Sequence, residues 1–214
     1  VHRSSLAPAP AALAVPAGDE GHCSRITGPP GSWAAPRACH HRRLTESSSP
    51  TILFLCTGNA ARSVMAGAAL AAYAPEIAVE TAGTLTIEGQ PASFRTRAGL
   101  EAVGLELPYH RSRQVRPDHL DNATVVIGLA PEHVQWVRRE HPGASAHTGT
   151  LRRLARDLPT AGSLAQRVAA LELDQVELGS WEEIEDPAGG EVPEFTACAQ
   201  EIVQLVADLA GRLK

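Results

Sequence analysis

Aromatic side chains are scarce in this chain: three Trp, two Tyr and three Phe make up 4% of its 214 residues. Its core must therefore be closed with Ala, Val, Leu and Ile. Cysteine is sparse too. Cys23, Cys39, Cys56 and Cys198 form no C-x-x-C pair and no dense cluster, which excludes a disulfide scaffold. Scattered thiols of this kind fit a reducing, cytoplasmic compartment in which a free thiolate survives. No stretch approaches the roughly eighteen uninterrupted apolar residues of a membrane span. An excess of positive charge is also missing. The net charge of −5 excludes a general nucleic-acid binder, which would carry a basic face.

What is there describes a globular protein: 43% hydrophobic and 20% charged residues, in a chain long enough for one well-buried domain with residues to spare. The spare residues lie at the start. Residues 1–50 hold seven of the sixteen prolines, are rich in Ala and Ser, and show no sustained period of 2 or 3.6. Such a segment buries too little apolar surface to offset its ordering entropy, so residues 1–49 are expected to be a disordered leader before a domain at 50–214. Its five Arg against Asp19, Glu20 and Glu46 give 5 − 3 = +2, leaving −5 − 2 = −7 for the remainder. Pro8, Pro10 and Pro16 interrupt the Ala-rich run 6–17 and argue against a secretory signal. The chain opens on Val and its only Met is Met65, which points to a non-standard start codon and a leader that is partly absent in the cell. Cys39, His40 and His41 with Cys23 lack a second half at ligand spacing and are read as chance residues, not as a metal site.

From Pro50 the pattern changes. Residues 51–55 form a short β-rich apolar run, as expected of a buried parallel strand. Gly58 and Asn59 allow the backbone angles of a tight loop. Strong helix formers follow over 63–74, and Pro75 ends them. Residues 77–81 predict a second strand and 92–103 a second helix with Phe94, Ala98 and Val103 on its apolar stripe. A third strand is expected over 124–129, a helix over 131–140 opened by Pro131, and a fourth strand near 147–151. Residues 151–178 contain Arg-bearing helical turns of unresolved division. The closing helix spans 192–213, with Phe195, Cys198, Ile202, Leu205, Val206, Leu209 and Leu213 at three- and four-residue spacing. Alternation of this kind predicts an α/β fold: a parallel sheet with helices on both faces and ligands at the carboxyl ends of its strands.

Cys56 lies at one such end, in Cys56-Thr57-Gly58-Asn59-Ala60-Ala61-Arg62-Ser63. Five residues between Cys and Arg let successive N–H groups curl inward into an anion nest, and the following helix adds its positive N-terminal end. Arg62 brings a planar fork that clasps two oxygens of a tetrahedral oxyanion. The same positive field favours the thiolate of Cys56, the nucleophilic form. Ser63 is placed to donate its hydroxyl to that sulfur. Thr57 to Ser63 are thus the candidate phosphate-binding residues, with Cys56 the nucleophile.

These residues resemble the low-molecular-weight protein tyrosine phosphatase family, whose loop reads Cys-x-Gly-Asn-x-Cys-Arg-Ser. Thr81-Ala82-Gly83-Thr84 is similar to its Ser-Ala-Gly-Thr turn, 110–114 to its His-x-Ala/Ser-Arg-Gln segment, and Asp186-Pro187 to its Asp-Pro motif. The resemblance covers nearly all of 51–214. It implies a four-stranded parallel sheet (flavodoxin-like, phosphotyrosine phosphatase I-like), no metal and no cofactor. It further implies that Asp186 is the general acid, that Asn59, Thr81 and His110 support the loop, and that the substrate is a phosphorylated protein or small phosphomonoester, phosphotyrosine first. The oligomeric state stays open. His119, His133, His141 and His147 show no ligand spacing and are read as surface residues.

Several positions depart from the family pattern. Ala61 replaces the second loop cysteine. The cleft-walling Trp is replaced around Thr86-Ile87, Ala188-Gly189-Gly190 replace the tyrosines after Asp-Pro, and Ala130 replaces an acidic residue. The phosphate grip is retained while the aromatic walls are lost, unless Trp181 restores one; Trp181 reads equally well as core. Three other functions stay open: an arsenate reductase using an external thiol, since Cys198 has no relay partner nearby in sequence, a protein-arginine phosphatase, and a non-catalytic phosphate-binding module.

Overall fold

The computed structural model describes residues 50–107 and 109–213, so the expected leader, with Cys23, Cys39, His40 and His41, lies outside the described residues. Four parallel strands form one sheet: β1 (Thr51–Cys56), β2 (Ala78–Gly83), β3 (Val125–Gly128) and β4 (Thr148–Thr150), in the order β2-β1-β3-β4. The period-2 geometry of β1 explains why helices cover both faces. Ile52, Phe54 and Cys56 point into one core, Leu53 and Leu55 into the other, and all five are buried. Burying each large aliphatic or aromatic side chain of this strand contributes roughly 1.5–3 kcal/mol, so β1 anchors the domain.

The first core is closed by α1 (Arg62–Tyr73), α2 (Phe94–Ala102), α5 (Leu151–Asp157), α6 (Leu164–Ala169) and α7 (Val192–Leu213). Small residues let these helices approach closely. A Cβ at Gly99 of α2 would meet the Phe195 carbonyl oxygen of α7 at 2.8 Å. The second core lies under α3 (Pro117–Asn122) and α4 (Pro131–Glu140), around Leu120, Val126 and Val137.

The closing helix keeps the bounds read from its periodicity, and α4 those expected of a helix opened by Pro131. Two readings need correction. The apolar stripe of α2 is carried by Thr96, Gly99 and Leu100, whereas Phe94 is 66% exposed. Ser93 caps this helix by accepting from the Thr96 N–H, which sets Phe94 at the first turn, turned away from the core. Helix α3 is absent from the sequence reading because six residues with one buried apolar side chain, Leu120, generate no period. The unresolved stretch after β4 divides into α5, capped by Thr150, and α6, opened by a Ser163–Gln166 capping box. Among the described residues no helix is long and apolar enough to cross a membrane.

Candidate active site

Strands β2 and β3 lie on opposite sides of β1, so the sheet opens a crevice beyond the carboxyl end of β1, where Cys56 sits. The chain then turns through 57–61 and enters α1 at Arg62. The neighbouring strand moulds this turn. Thr84 N–H donates to the Cys56 carbonyl at 2.9 Å and Leu85 N–H to the Thr57 carbonyl at 3.0 Å. Cys56 pairs with Gly83, where an added Cβ would lie 2.4 Å from the Thr57 carbonyl oxygen and 2.9 Å from the Asn59 nitrogen. Only glycine fits there.

The left-handed residue of the loop is Asn59, at φ 49°; Gly58, the other residue expected to take unusual angles, is not among the positive-φ glycines. Asn tolerates this conformation when its side chain is tied locally, and that of Asn59 is fully buried and bonded at both ends. Its Nδ2 donates to Ser63 Oγ at 3.0 Å, while its Oδ1 accepts from the Arg113 N–H at 2.9 Å. Its carbonyl accepts from His110 Nε2 at 2.9 Å. Burial is the main cause that pulls the pKa of His110 below the usual histidine value, with the charges of Arg113 and Arg97 adding to it against the Asn59 bond.

Ser63 Oγ lies 3.0 Å from Cys56 Sγ. Because Ser63 already accepts from Asn59, its own proton is free to point at the sulfur. Arg62, 2% exposed, donates through Nη1 to the Ile184 carbonyl at 3.1 Å and through Nη2 to Asp186 Oδ2 at 2.5 Å and to Thr57 Oγ1 at 3.5 Å. Arg62 and Asp186, 124 positions apart, therefore meet at one ion pair. Asp186 Oδ1 accepts from the Ala188 N–H at 3.0 Å, which shapes the turn through Pro187.

Thr81 does not join the loop network by its side chain as expected. Its methyl faces Gly67 of α1, where a Cβ would meet it at 2.6 Å, and its carbonyl accepts from Arg113 Nε at 2.6 Å. The residue that ties β2 to the loop is Arg113. It stands in the 110–114 segment from which sequence reading took only His110.

Behind Asp186, Glu182 is wholly buried, on a 3-10 turn at Ser180–Glu182. It accepts from Thr150 Oγ1 at 2.5 Å, from Arg153 at 2.5 and 2.9 Å, and from the Gly179 N–H at 2.9 Å. This clamp fixes the segment that ends in Asp186. Glu182→Gln leaves Arg153 without its counter-charge, and a stability loss of about 3 kcal/mol is expected in urea unfolding; an unchanged midpoint would rule the clamp out.

The four histidines read as surface residues are at least half-buried, and His133 is 1% exposed. It opens α4 directly behind β3, so its ring lies beneath the loop, with Nε2 3.2 Å from Thr57 Oγ1 and 3.4 Å from Glu132 Oε1. Burial, reinforced by the charge of Arg62, lowers its pKa to about 3. The unfolded chain, with an ordinary value near 6.5, therefore binds more protons below that pH. Stability is complete above about pH 6.5 and declines as pH falls towards 3, by about 2–3 kcal/mol between 6.5 and 4.5. Denaturant titrations across this range should show that slope, and His133→Gln should flatten it to the residual contribution of His110.

The cleft beside the loop, about 420 Å³, is lined by Thr57, Leu85, Glu132, His133, Trp136 and Arg139, among others. Trp136 thus supplies an aromatic wall that sequence reading missed. Trp181 is neither that wall nor core: it is 41% exposed, with the Arg156 guanidinium 3.9 Å over its ring. Among the described residues no group of three or more His, Cys, Asp or Glu is placed to hold a metal ion.

A buried thiol and a buried guanidinium converging at a helix N-terminus, on this 2-1-3-4 sheet, define a cysteine-dependent phosphatase. The chain belongs to the family described as low molecular weight phosphotyrosine protein phosphatase, whose model matches residues 51–214. It is 32% identical over 164 residues to a protein-arginine-phosphatase of Geobacillus stearothermophilus, covering 76% of this chain and 95% of that protein. It is 29% identical over 137 residues to a probable low molecular weight protein-tyrosine-phosphatase, EpsP, of Ralstonia nicotianae, covering 61% and 92%. Among solved structures, the YwlE arginine phosphatase of G. stearothermophilus superposes with a TM-score of 0.62, over 77% of this chain and 92% of that one.

Proposed function

We propose that this phosphatase removes phosphate from a phosphorylated protein side chain, phosphotyrosine first, through a phosphocysteine on Cys56. The observation that carries the reading is the convergence of Cys56 Sγ, Ser63 Oγ at 3.0 Å and the buried, multiply anchored Arg62. The sulfur attacks phosphorus while Arg62 and the N–H groups of Thr57 to Ser63 hold the equatorial oxygens. As the bond from phosphorus to the leaving oxygen breaks, Asp186 gives that oxygen its proton. Asp186 then accepts a proton from water, which attacks phosphorus; the S–P bond breaks and orthophosphate departs. The departing thiolate is stabilised by Ser63, while Asn59, His110 and Arg113 hold the loop in shape. The Trp136 and Leu85 walls suit an aromatic leaving group. The cytoplasm is the proposed site of action.

A second substrate is favoured by a specific observation. Glu132 Oε1 lies 3.3 Å from Thr57 Oγ1 in the cleft, a carboxylate suited to the guanidinium of phosphoarginine. The 32%-identical relative is named for that substrate. An internal disulfide relay for arsenate reduction has little support, because burial pushes the pKa of Cys198, the other described thiol, up to about 12 and leaves it a poor nucleophile; a reductase using an external thiol needs only Cys56 and is an arm of the test. The test offers the purified chain p-nitrophenyl phosphate, phosphotyrosine peptide, phosphoarginine peptide and arsenate with glutathione. Turnover of phosphoarginine alone selects the second substrate. Turnover of arsenate alone ends the phosphatase reading, and phosphate binding without turnover ends the catalytic one.

A further inference from the structure

We propose that His133 is a positioning residue for Arg62, acting through the Thr57 hydroxyl. The inference rests on the reading of Arg62 as the phosphate clasp. A guanidinium at the end of a long side chain clasps phosphate well only if its far side is held still. One hold is the Ile184 carbonyl, itself fixed because the Ile184 N–H donates to the Leu129 carbonyl at 3.1 Å. The other is Thr57 Oγ1. A threonine hydroxyl turns about a single bond, so something must fix it in turn.

His133 and Glu132 do so. Thr57 Oγ1 lies 3.2 Å from His133 Nε2, 3.3 Å from Glu132 Oε1 and 3.5 Å from Arg62 Nη2. Nδ1 of His133 is buried without a well-formed hydrogen bond, and the Ala130 backbone is the other polar group at the ring. Nε2 therefore carries the ring's contact with Thr57. With the ring proton on Nε2 the hydroxyl gives its proton to Glu132 and its lone pairs to His133 and Arg62; with the proton on Nδ1 the hydroxyl donates to Nε2 and still accepts from Arg62.

The ring is enclosed: His133 is 1% exposed, on the first turn of α4, and its Cβ packs against Gly128 of β3 so closely that an added Cβ there would lie 3.1 Å from it. The plain alternative is a core-filling histidine. An apolar side chain would fill that space without leaving a nitrogen unpaired, so packing alone gives no reason for an imidazole.

The experiment uses the full chain, with p-nitrophenyl phosphate for kcat and KM and orthophosphate as a competing ligand. His133→Leu and Thr57→Val should each weaken orthophosphate binding and lower kcat/KM about tenfold, as expected for one hydrogen bond to a charged group. The double variant should be no worse than Thr57→Val alone, because both remove the same link. His133→Gln, which keeps an N–H donor, should recover most of the loss. Multiplying losses, an unaffected His133→Leu, or a Gln variant no better than Leu would overturn the proposal. If His133→Leu does not fold, His133→Asn, too short to reach Thr57, takes its place under the same criteria. Failure of the catalytic reading is separable: a wild-type chain that binds orthophosphate without turnover removes the mechanism, while the binding comparisons still decide the role of His133.

Discussion

Cys56→Ser is expected to lower turnover of any substrate by about 10⁴-fold or more while leaving phosphate binding nearly intact. A serine hydroxyl is a nucleophile only when a base takes its proton. The nearest polar partner here is the Ser63 hydroxyl, which accepts from Asn59 and directs its own proton at position 56, so it cannot serve as that base. The grip on phosphate is untouched, since Arg62 and the loop N–H groups lie outside the substitution. Rapid quench with labelled substrate should show a phosphoenzyme in the wild type and none in the variant, and calorimetry should give similar orthophosphate affinities. Residual turnover above about a hundredth of the wild-type rate would mean that Cys56 is not the nucleophile.

Asp186→Asn is expected to have the second largest effect, and a more informative one. Its turn should persist, because an amide oxygen can still accept from the Ala188 N–H. Proton transfer to the leaving group is lost, a cost of about 10²–10⁴-fold. The loss should be greatest for alkyl and weakly acidic phenyl phosphates and least for p-nitrophenyl phosphate, whose leaving oxygen needs no proton. Orthophosphate should meanwhile bind more tightly, since Arg62 no longer holds a carboxylate at 2.5 Å. Equal slowing across leaving groups would refute the role of acid.

The elements legible in the sequence are those whose burial is periodic or continuous. Strand β1, helix α4 and helix α7 stand within a residue of their expected bounds, because each presents one sustained pattern to one core. Helix α3 carries no period, and Phe94 misled because an apolar residue at a helix start need not face inward. In the site, the loop from Cys56 to Ser63 was readable since its chemistry is local. The meeting of Asp186 with Arg62 was not, and rested on resemblance, because nothing in residue spacing announces a contact across 124 positions. The exchange of Thr81 for Arg113 has the same origin: a strand residue was judged by its type, while the contact is made by a longer side chain from the next segment. His133 and Trp136 carried a weaker signal, their place on the first turns of a helix that starts at the carboxyl end of the strand beside Cys56. Trp181 is neither wall nor core, and a ring covered by arginine leaves no sequence pattern.

Gly83 carries a consequence for affinity. With β2 packed so closely that no side chain fits between it and the Thr57 carbonyl, the loop after Cys56 is cast against a rigid neighbour. Its amides are set in place when the domain folds. The entropy of arranging them is thus charged once, to folding, and not again to each encounter with substrate. Such preorganisation also makes the loop brittle: Gly83→Ala gives up catalysis and fold together, since the loop has no second shape to retreat to.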